Sequence, residues 1–330
     1  MRRVYNEQSD KEDNMVIQKR FSIGFFIFSI LLLATSCATF NHKNPYPDME
    51  IVKYGESQAY VFRNDSSKKI LISIEGSGWS SVLGEKGDKR WQYTEQGAQL
   101  LQVLGDEYTF LIPEKLNRQP GLEYSGDKED RANYTAENLI NCYVESINGY
   151  LAEHSFSSIV LIGTSEGAIL LPLVYENMND KDAVTAMVSF ALGGLSLYES
   201  YGLLVGSPVT PEGWDVMYRD IIITRFNPEN NDPIDSFEEA YWGLTKRWFK
   251  SILHIRPFDY YKNINIPILF IHGEKDYNVP VESTRYIQKN LLNKPFEYRY
   301  YDWGHNPELY FDNIELRNDI AKWVIKTDRK

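Results

Sequence analysis

A serine hydroxyl attacks a carbonyl only when a base takes its proton. Ser165 stands in Gly163-Thr164-Ser165-Glu166-Gly167, after the apolar run 158–163 and before a helical pattern from Ala168 to Met178. A chain that turns from strand to helix at one residue leaves that residue strained and its side chain exposed. Gly163 and Gly167 are expected as glycines because a side chain at either position would collide across the turn. The helix that follows aims its free N–H groups and positive end at the serine. Ser165 is therefore the candidate nucleophile. The backbone N–H of Glu166 is a candidate donor to the oxyanion that acyl transfer would develop.

Five histidines are available as base: His42, His154, His254, His272 and His305. His305, in Trp303-Gly304-His305-Asn306, lies past the final strand candidate, at the strand-end edge where the Ser165 turn also falls. His272 ends a strand candidate and reads as packing or turn chemistry. The orienting carboxylate is expected between serine and histidine in chain order. The loop His272-Gly273-Glu274-Lys275-Asp276-Tyr277-Asn278-Val279-Pro280 offers Asp276, with Glu274 as its rival. An acid there would select the imidazole tautomer and stabilise the imidazolium. A second oxyanion donor is expected from Glu75-Gly76-Ser77-Gly78-Trp79, with the Ser77 N–H first and Gly78 next.

These side chains need a frame. Apolar runs at Lys69–Glu75, Tyr108–Pro113, Ser158–Gly163, Ala183–Leu192, Ile266–His272 and Phe296–Tyr301 read as strands, several of them buried on both faces. Helical patterns lie between or after them. Thr135–Leu151 carries Ile140, Tyr143, Ile147 and Leu151 on one face, with Cys142 as a small buried hydrophobe. Val281–Leu292 is another, and Ile314–Ile325 has Ile314, Ile320, Trp323 and Val324 as its stripe. Strands alternating with helices predict a mostly parallel central sheet with right-handed crossovers. Leu197–Asn263 is too long for a plain connection and holds Trp214, Trp242 and Trp248, so it reads as an inserted helical lid. Acidic Glu238 and Glu239 fall within it and read as solvent-facing.

The chain has 330 residues and a formal net charge of -11, which disfavours a nucleic-acid partner. No dinucleotide fingerprint, P-loop, zinc-ligand spacing or H-E-x-x-H is present, so neither cofactor nor metal is expected. At the N-terminus, Lys19 and Arg20 precede the apolar run FSIGFFIFSILLLA, which ends in Ala34-Thr35-Ser36-Cys37. That order resembles a bacterial lipoprotein signal. The resemblance implies lipid on Cys37 and export to a membrane surface. Met15, which opens the segment MVIQKRF after the polar residues 1–14, reads as the start, the alternative being a long polar region before the apolar run. Residues 1–37 are then the extension and signal, 38–50 a tether, and 51–330 the folded domain, with the insertion at about 197–263.

From about Ile51 onward the chain resembles the α/β-hydrolase superfamily. The residues that carry the likeness are Gly163-Thr164-Ser165-Glu166-Gly167-Ala168, Gly76-Ser77-Gly78, His272-Gly273-Glu274-Lys275-Asp276 and Gly304-His305. They are most similar to the dienelactone-hydrolase and prolyl-oligopeptidase-like esterases. Many such relatives carry histidine where this chain has Glu75. The resemblance implies an α/β-hydrolase fold with a Ser165–Asp276–His305 triad. The expected reaction is cleavage of a carboxylic ester, on an apolar or aromatic small molecule, through an acyl-enzyme. A serine peptidase acting on a peptide amide, or a binding lipoprotein without catalysis, are the alternatives.

Overall fold

The computed structural model describes residues 49–62, 66–78, 81–82, 100, 103–104, 107–118, 133–221, 239–241, 244–305 and 313–328. The compact unit is Asp48–Lys330. Met15 and Cys37, the tether residues as far as Asp48, Glu238 and Trp242 lie outside the described residues, as does the side chain of Glu239.

An eight-stranded sheet forms the centre, in the order β1-β2-β4-β3-β5-β6-β9-β10. The strands are β1 (Met49–Tyr54), β2 (Ser57–Phe62), β3 (Lys69–Ile74), β4 (Tyr108–Pro113), β5 (Ser158–Thr164), β6 (Val184–Phe190), β9 (Ile268–Gly273) and β10 (Phe296–Tyr301). β1 pairs antiparallel with β2, and β2 antiparallel with β4. Every other neighbour is parallel. The six expected strands are present, with boundaries moved by up to two residues. The β1–β2 hairpin was not among the expectations. β1 begins at Met49, within the stretch read as tether, and its outer face is half open to solvent. A short edge strand of mixed character has no strong period to announce it.

β5 occupies the middle of the sheet and is buried along its whole length. Its run of Ile, Val and Leu suits a strand covered on both faces. The helices α1 (Ala136–Glu153), α2 (Glu166–Asn177), α7 (Glu282–Asn290) and α8 (Ile314–Asp328) lie in the connections or follow the last strand. Thr135 caps α1 by accepting from the Asn138 N–H at 3.3 Å. Its buried stripe is Leu139, Cys142, Tyr143, Ser146, Ile147, Tyr150 and Leu151. Ile140, expected inside, is half-buried, because the stripe turns slightly toward Leu139. In α8 the buried residues are Leu316, Ile320, Ala321, Trp323 and Val324, whereas Ile314 is 60% exposed. Ile314 opens the helix, and Leu316 takes its place on the core face. Cys142 is a buried free thiol, as expected of a small hydrophobe.

The inserted stretch is helical in part: α3 (Leu197–Leu204), α4 (Trp214–Arg219), α5 (Lys246–Ile252) and α6 (Phe258–Tyr261). It also contains a two-stranded antiparallel pair, β7 (Glu239–Tyr241) with β8 (Leu244–Thr245), which the helical expectation missed. α3 begins with a full capping box between Ser196 and Glu199. Pro172 lies inside α2, where its missing N–H orphans the Ala168 carbonyl. Tyr261, at the end of the insertion, donates its hydroxyl to that carbonyl at 3.5 Å.

Candidate active site

The β5–α2 turn sets the site. Ser165 has φ 53° and ψ -115°, a conformation few L-residues adopt. Its N–H donates to the Phe190 carbonyl at 3.1 Å, which ties the turn to the end of β6. A Cβ on Gly163 would stand 2.7 Å from the Gly167 carbonyl oxygen and 2.9 Å from the Ala168 Cα. That collision is the one expected across the turn. Gly167 differs, since its Cβ would meet the Ile74 carbonyl oxygen at 2.1 Å and the Glu75 carbonyl oxygen at 2.7 Å. Gly167 is a glycine because α2 presses on the end of β3, a contact between residues far apart in the chain.

Three of the expected residues meet here. Ser165 Oγ lies 3.0 Å from His305 Nε2, and His305 Nδ1 lies 2.8 Å from Asp276 Oδ2. A carboxylate accepts, so Nδ1 carries the proton and Nε2 presents its lone pair to the hydroxyl. Asp276 Oδ1 accepts from the Asn278 and Val279 N–H groups at 2.8 and 2.9 Å. Burial alone would raise the Asp276 carboxyl. The charge and hydrogen bond of His305, with the hydrogen bond of His272, outweigh it and hold the group well below the usual carboxylate range. Glu274, the rival acid, is half exposed and pairs with Arg285 at 2.8 Å, away from the imidazole.

The loops that carry Asp276 and His305 are joined through their backbones. Glu274 N–H donates to the Tyr301 carbonyl at 2.7 Å, and Lys275 N–H to the Trp303 carbonyl at 2.8 Å. Gly273 leaves no space for a side chain, because its Cβ would stand 2.5 Å from the Trp303 carbonyl oxygen. His272 is fully buried, 2.9 Å from the Val279 carbonyl through Nε2 and 2.7 Å from the Thr284 hydroxyl through Nδ1. It packs inside the acid loop, as its position at a strand end suggested.

The glycine-rich loop after β3 sits beside Ser165. A Cβ on Gly76 would be 3.4 Å from that of Ser165. Ser77 and Gly78 line the same cavity as Ser165, Glu166 and His305. Glu166 opens α2, so its N–H has no acceptor within the helix. The Gly78 backbone hydrogen-bonds the Tyr134 hydroxyl. Ser77 is exposed, and it is the loop residue whose N–H was expected first.

The cavity measures about 280 Å³. Most of its remaining wall is apolar or aromatic, with Leu197, Tyr201, Trp214, Leu244 and Trp248 from the insertion, and Asn278 adds a polar side chain. Trp214 meets Tyr277 of the acid loop edge to face, with ring centroids 5.1 Å apart. Trp248 is buried, and its indole N–H donates to Glu166 Oε1 at 2.5 Å. Sequence reasoning passed over Lys115, Tyr134 and the side chain of Glu166. All three are buried at this site, and nothing in their local sequence separates them from surface residues. Among the described residues, no group of His, Cys, Asp and Glu side chains could hold a metal ion.

Sheet order, helix placement and the strand–turn–helix at Ser165 together define an α/β-hydrolase fold. The chain superposes on the Pyrococcus furiosus esterase Pf2001 with a TM-score of 0.57 at 14% identity, over 88% of this chain and 94% of that one. It superposes on the Pyrococcus horikoshii acylaminoacyl peptidase with a TM-score of 0.56 at 12% identity, over 86% of this chain and 42% of that one. Est1E from Butyrivibrio proteoclasticus gives a TM-score of 0.53 at 12% identity, over 86% of this chain and 99% of that one. In sequence, the chain is 45% identical over 110 residues to the uncharacterized peptidase YtmA of Bacillus subtilis (strain 168). That stretch is 32% of this chain and 41% of the relative, so the match spans less than half of either. No protein-family profile matches the chain.

Proposed function

We propose that this protein is a serine hydrolase that cleaves a carboxylic ester through an acyl-enzyme. The observation that carries the reading is the relay from Ser165 Oγ through His305 to Asp276, at 3.0 and 2.8 Å. Ser165 Oγ attacks the ester carbonyl carbon as His305 Nε2 takes the hydroxyl proton. The Glu166 and Ser77 N–H groups face the oxyanion. Collapse expels the alcohol, which leaves with the proton from His305. Water then repeats the sequence and releases the acid. Asp276 stays ionised throughout and stabilises the imidazolium. The aromatic wall over the nucleophile favours an apolar or aromatic acyl or alcohol group.

A fluorophosphonate probe tests this reading: an adduct mapped to Ser165 in folded protein, absent after denaturation, supports it. A folded protein that takes no label would point to a binding protein that retains the fold alone. The relative named as a peptidase favours a second reading, cleavage of a peptide amide at the same site. Parallel assays on p-nitrophenyl esters and on N-acyl aminoacyl anilides separate the two.

We also propose that Cys37 is lipidated and anchors the exported protein to a bacterial membrane. Support comes from the basic pair Lys19 and Arg20, the short apolar run and the small residues before the cysteine. Growth with an alkyne fatty acid should label the wild type and leave Cys37→Ala unlabelled. Equal labelling of both, or native protein cleaved elsewhere and free of lipid, would rule the anchor out.

A further inference from the structure

Behind the Gly76–Gly78 loop lies a set of buried charges that acyl transfer does not use. Lys115, just past β4, is 2% exposed, and the Glu75, Glu114 and Glu166 side chains around it are equally enclosed. Burial lowers the Lys115 pKa, while Glu166, Glu114 and Glu75 pull it back up. An ammonium kept in such a place needs opposing charge and hydrogen-bond acceptors to remain there.

One acceptor lies in the oxyanion loop. Lys115 Nζ donates to the Gly78 carbonyl at 3.1 Å. The Gly78 backbone also reaches the Tyr134 hydroxyl, which donates in turn to Glu166 Oε2 at 2.9 Å. Gly78 has φ +138°, a conformation glycine tolerates but does not enforce. Contacts from the buried side must therefore select the shape of the loop. They run to the side chain of Glu166, whose own N–H forms the other half of the hole.

We propose that Lys115 is a positioning residue for the oxyanion loop: with Tyr134, it fixes the Gly78 backbone and sets the placement of the loop against Ser165. This rests on the acyl-transfer reading above. Lys115 touches no reacting atom. It acts by holding a backbone donor where charge develops, and such donors are effective only when already in place.

The test compares Lys115→Met, Lys115→Arg and Tyr134→Phe with the wild type, all as the folded chain. The substrate is p-nitrophenyl butyrate, and an aryl trifluoromethyl ketone serves as the oxyanion-forming inhibitor. Lys115→Met should lower kcat roughly tenfold to a hundredfold, short of deleting a donor outright, with KM nearly unchanged. The ketone should weaken by the same factor, because only the tetrahedral adduct needs the hole. Lys115→Arg should recover part of the loss. Amide exchange over residues 74–78 should quicken in Lys115→Met and Tyr134→Phe, with α8 unaffected. Unchanged kcat and unchanged exchange in folded Lys115→Met would overturn the proposal, as would a loss of protection spread evenly over the sheet. Should Lys115→Met not fold, Tyr134→Phe is read for the same kcat loss and local exchange. A wild type with no turnover and no label on Ser165 would defeat the functional reading, while the exchange comparison still decides whether Lys115 orders the loop.

Discussion

Asp276 Oδ2 lies 3.4 Å from His272 Nε2 as well as 2.8 Å from His305 Nδ1. One carboxylate oxygen therefore faces two imidazoles, one buried in the acid loop and one open to the cavity. His272 Nε2 is also 2.9 Å from the Val279 carbonyl, which can only accept, so that nitrogen bears a hydrogen. With the His305 N–H on Oδ2 and two backbone N–H groups on Oδ1, Asp276 has a defined orientation before any substrate arrives.

The choice of acid follows from that geometry. Asp276→Asn should cut kcat by roughly 10⁴-fold, because an amide favours the wrong tautomer of His305. Glu274→Gln should leave turnover within about twofold, since an exposed ion pair with Arg285 contributes little. Steady-state kinetics of the two variants decide it. A damaging Glu274 change beside a harmless Asp276 change would show the assignment to be inverted.

Ser165 offers a paired measurement of chemistry and strain. Both Ser165→Ala and Ser165→Gly should lose turnover by roughly 10⁴-fold or more. Their stabilities should differ, because φ 53° with ψ -115° burdens any residue with a Cβ. Ser165→Gly is expected to unfold later in urea than Ser165→Ala, by about 1 kcal/mol or more. Equal midpoints would mean that the turn is not strained.

Glu75 should mark the pH dependence of stability. Burial pushes its carboxyl up to about 7, against the Ser73 hydrogen bond and the nearby Lys115 charge. A raised carboxyl binds its proton more tightly folded than unfolded, so its contribution is fully present below the unfolded value near 4.5 and fades as pH rises through 7. Glu75→Gln cannot ionise and escapes that loss. The variant should gain on the wild type between pH 5 and pH 8, by something on the order of 3 kcal/mol at most. Thermal melts at both pH values read the effect, and a constant difference between the two proteins would disprove it.

The aromatic wall should be visible in chain-length selectivity. Each buried methylene contributes roughly 0.8 kcal/mol, or about fourfold in kcat/KM, to a p-nitrophenyl ester series from acetyl to octanoyl. Trp214→Ala should flatten that series by raising KM for the longer esters. Trp214 is the better test than Trp248, whose indole also holds the Glu166 carboxylate. A series already flat in the wild type would show that the cavity does not read the acyl chain.

The turn at Ser165 and the chain order of Ser165, Asp276 and His305 were legible in the sequence because their constraints are local. A one-residue turn from strand to helix demands glycine beside the serine, and a buried parallel strand demands an unbroken apolar run, as in β5. Type and position favour Asp276 over Glu274 on the same footing, and the fold places Asp276 beside His305 while turning Glu274 to Arg285. Other features had no local mark. Gly167 is glycine because of Ile74, some ninety residues earlier, and a lone glycine does not name its distant neighbour. The β1–β2 hairpin has a mixed pattern because one face is open. Lys115 reads as a surface residue, since lysine is almost never fully buried unless paired. Its burial depends on Glu75, Glu114, Glu166 and Gly78 converging from β3, β4 and α2, and that convergence exists only once the sheet has closed around them.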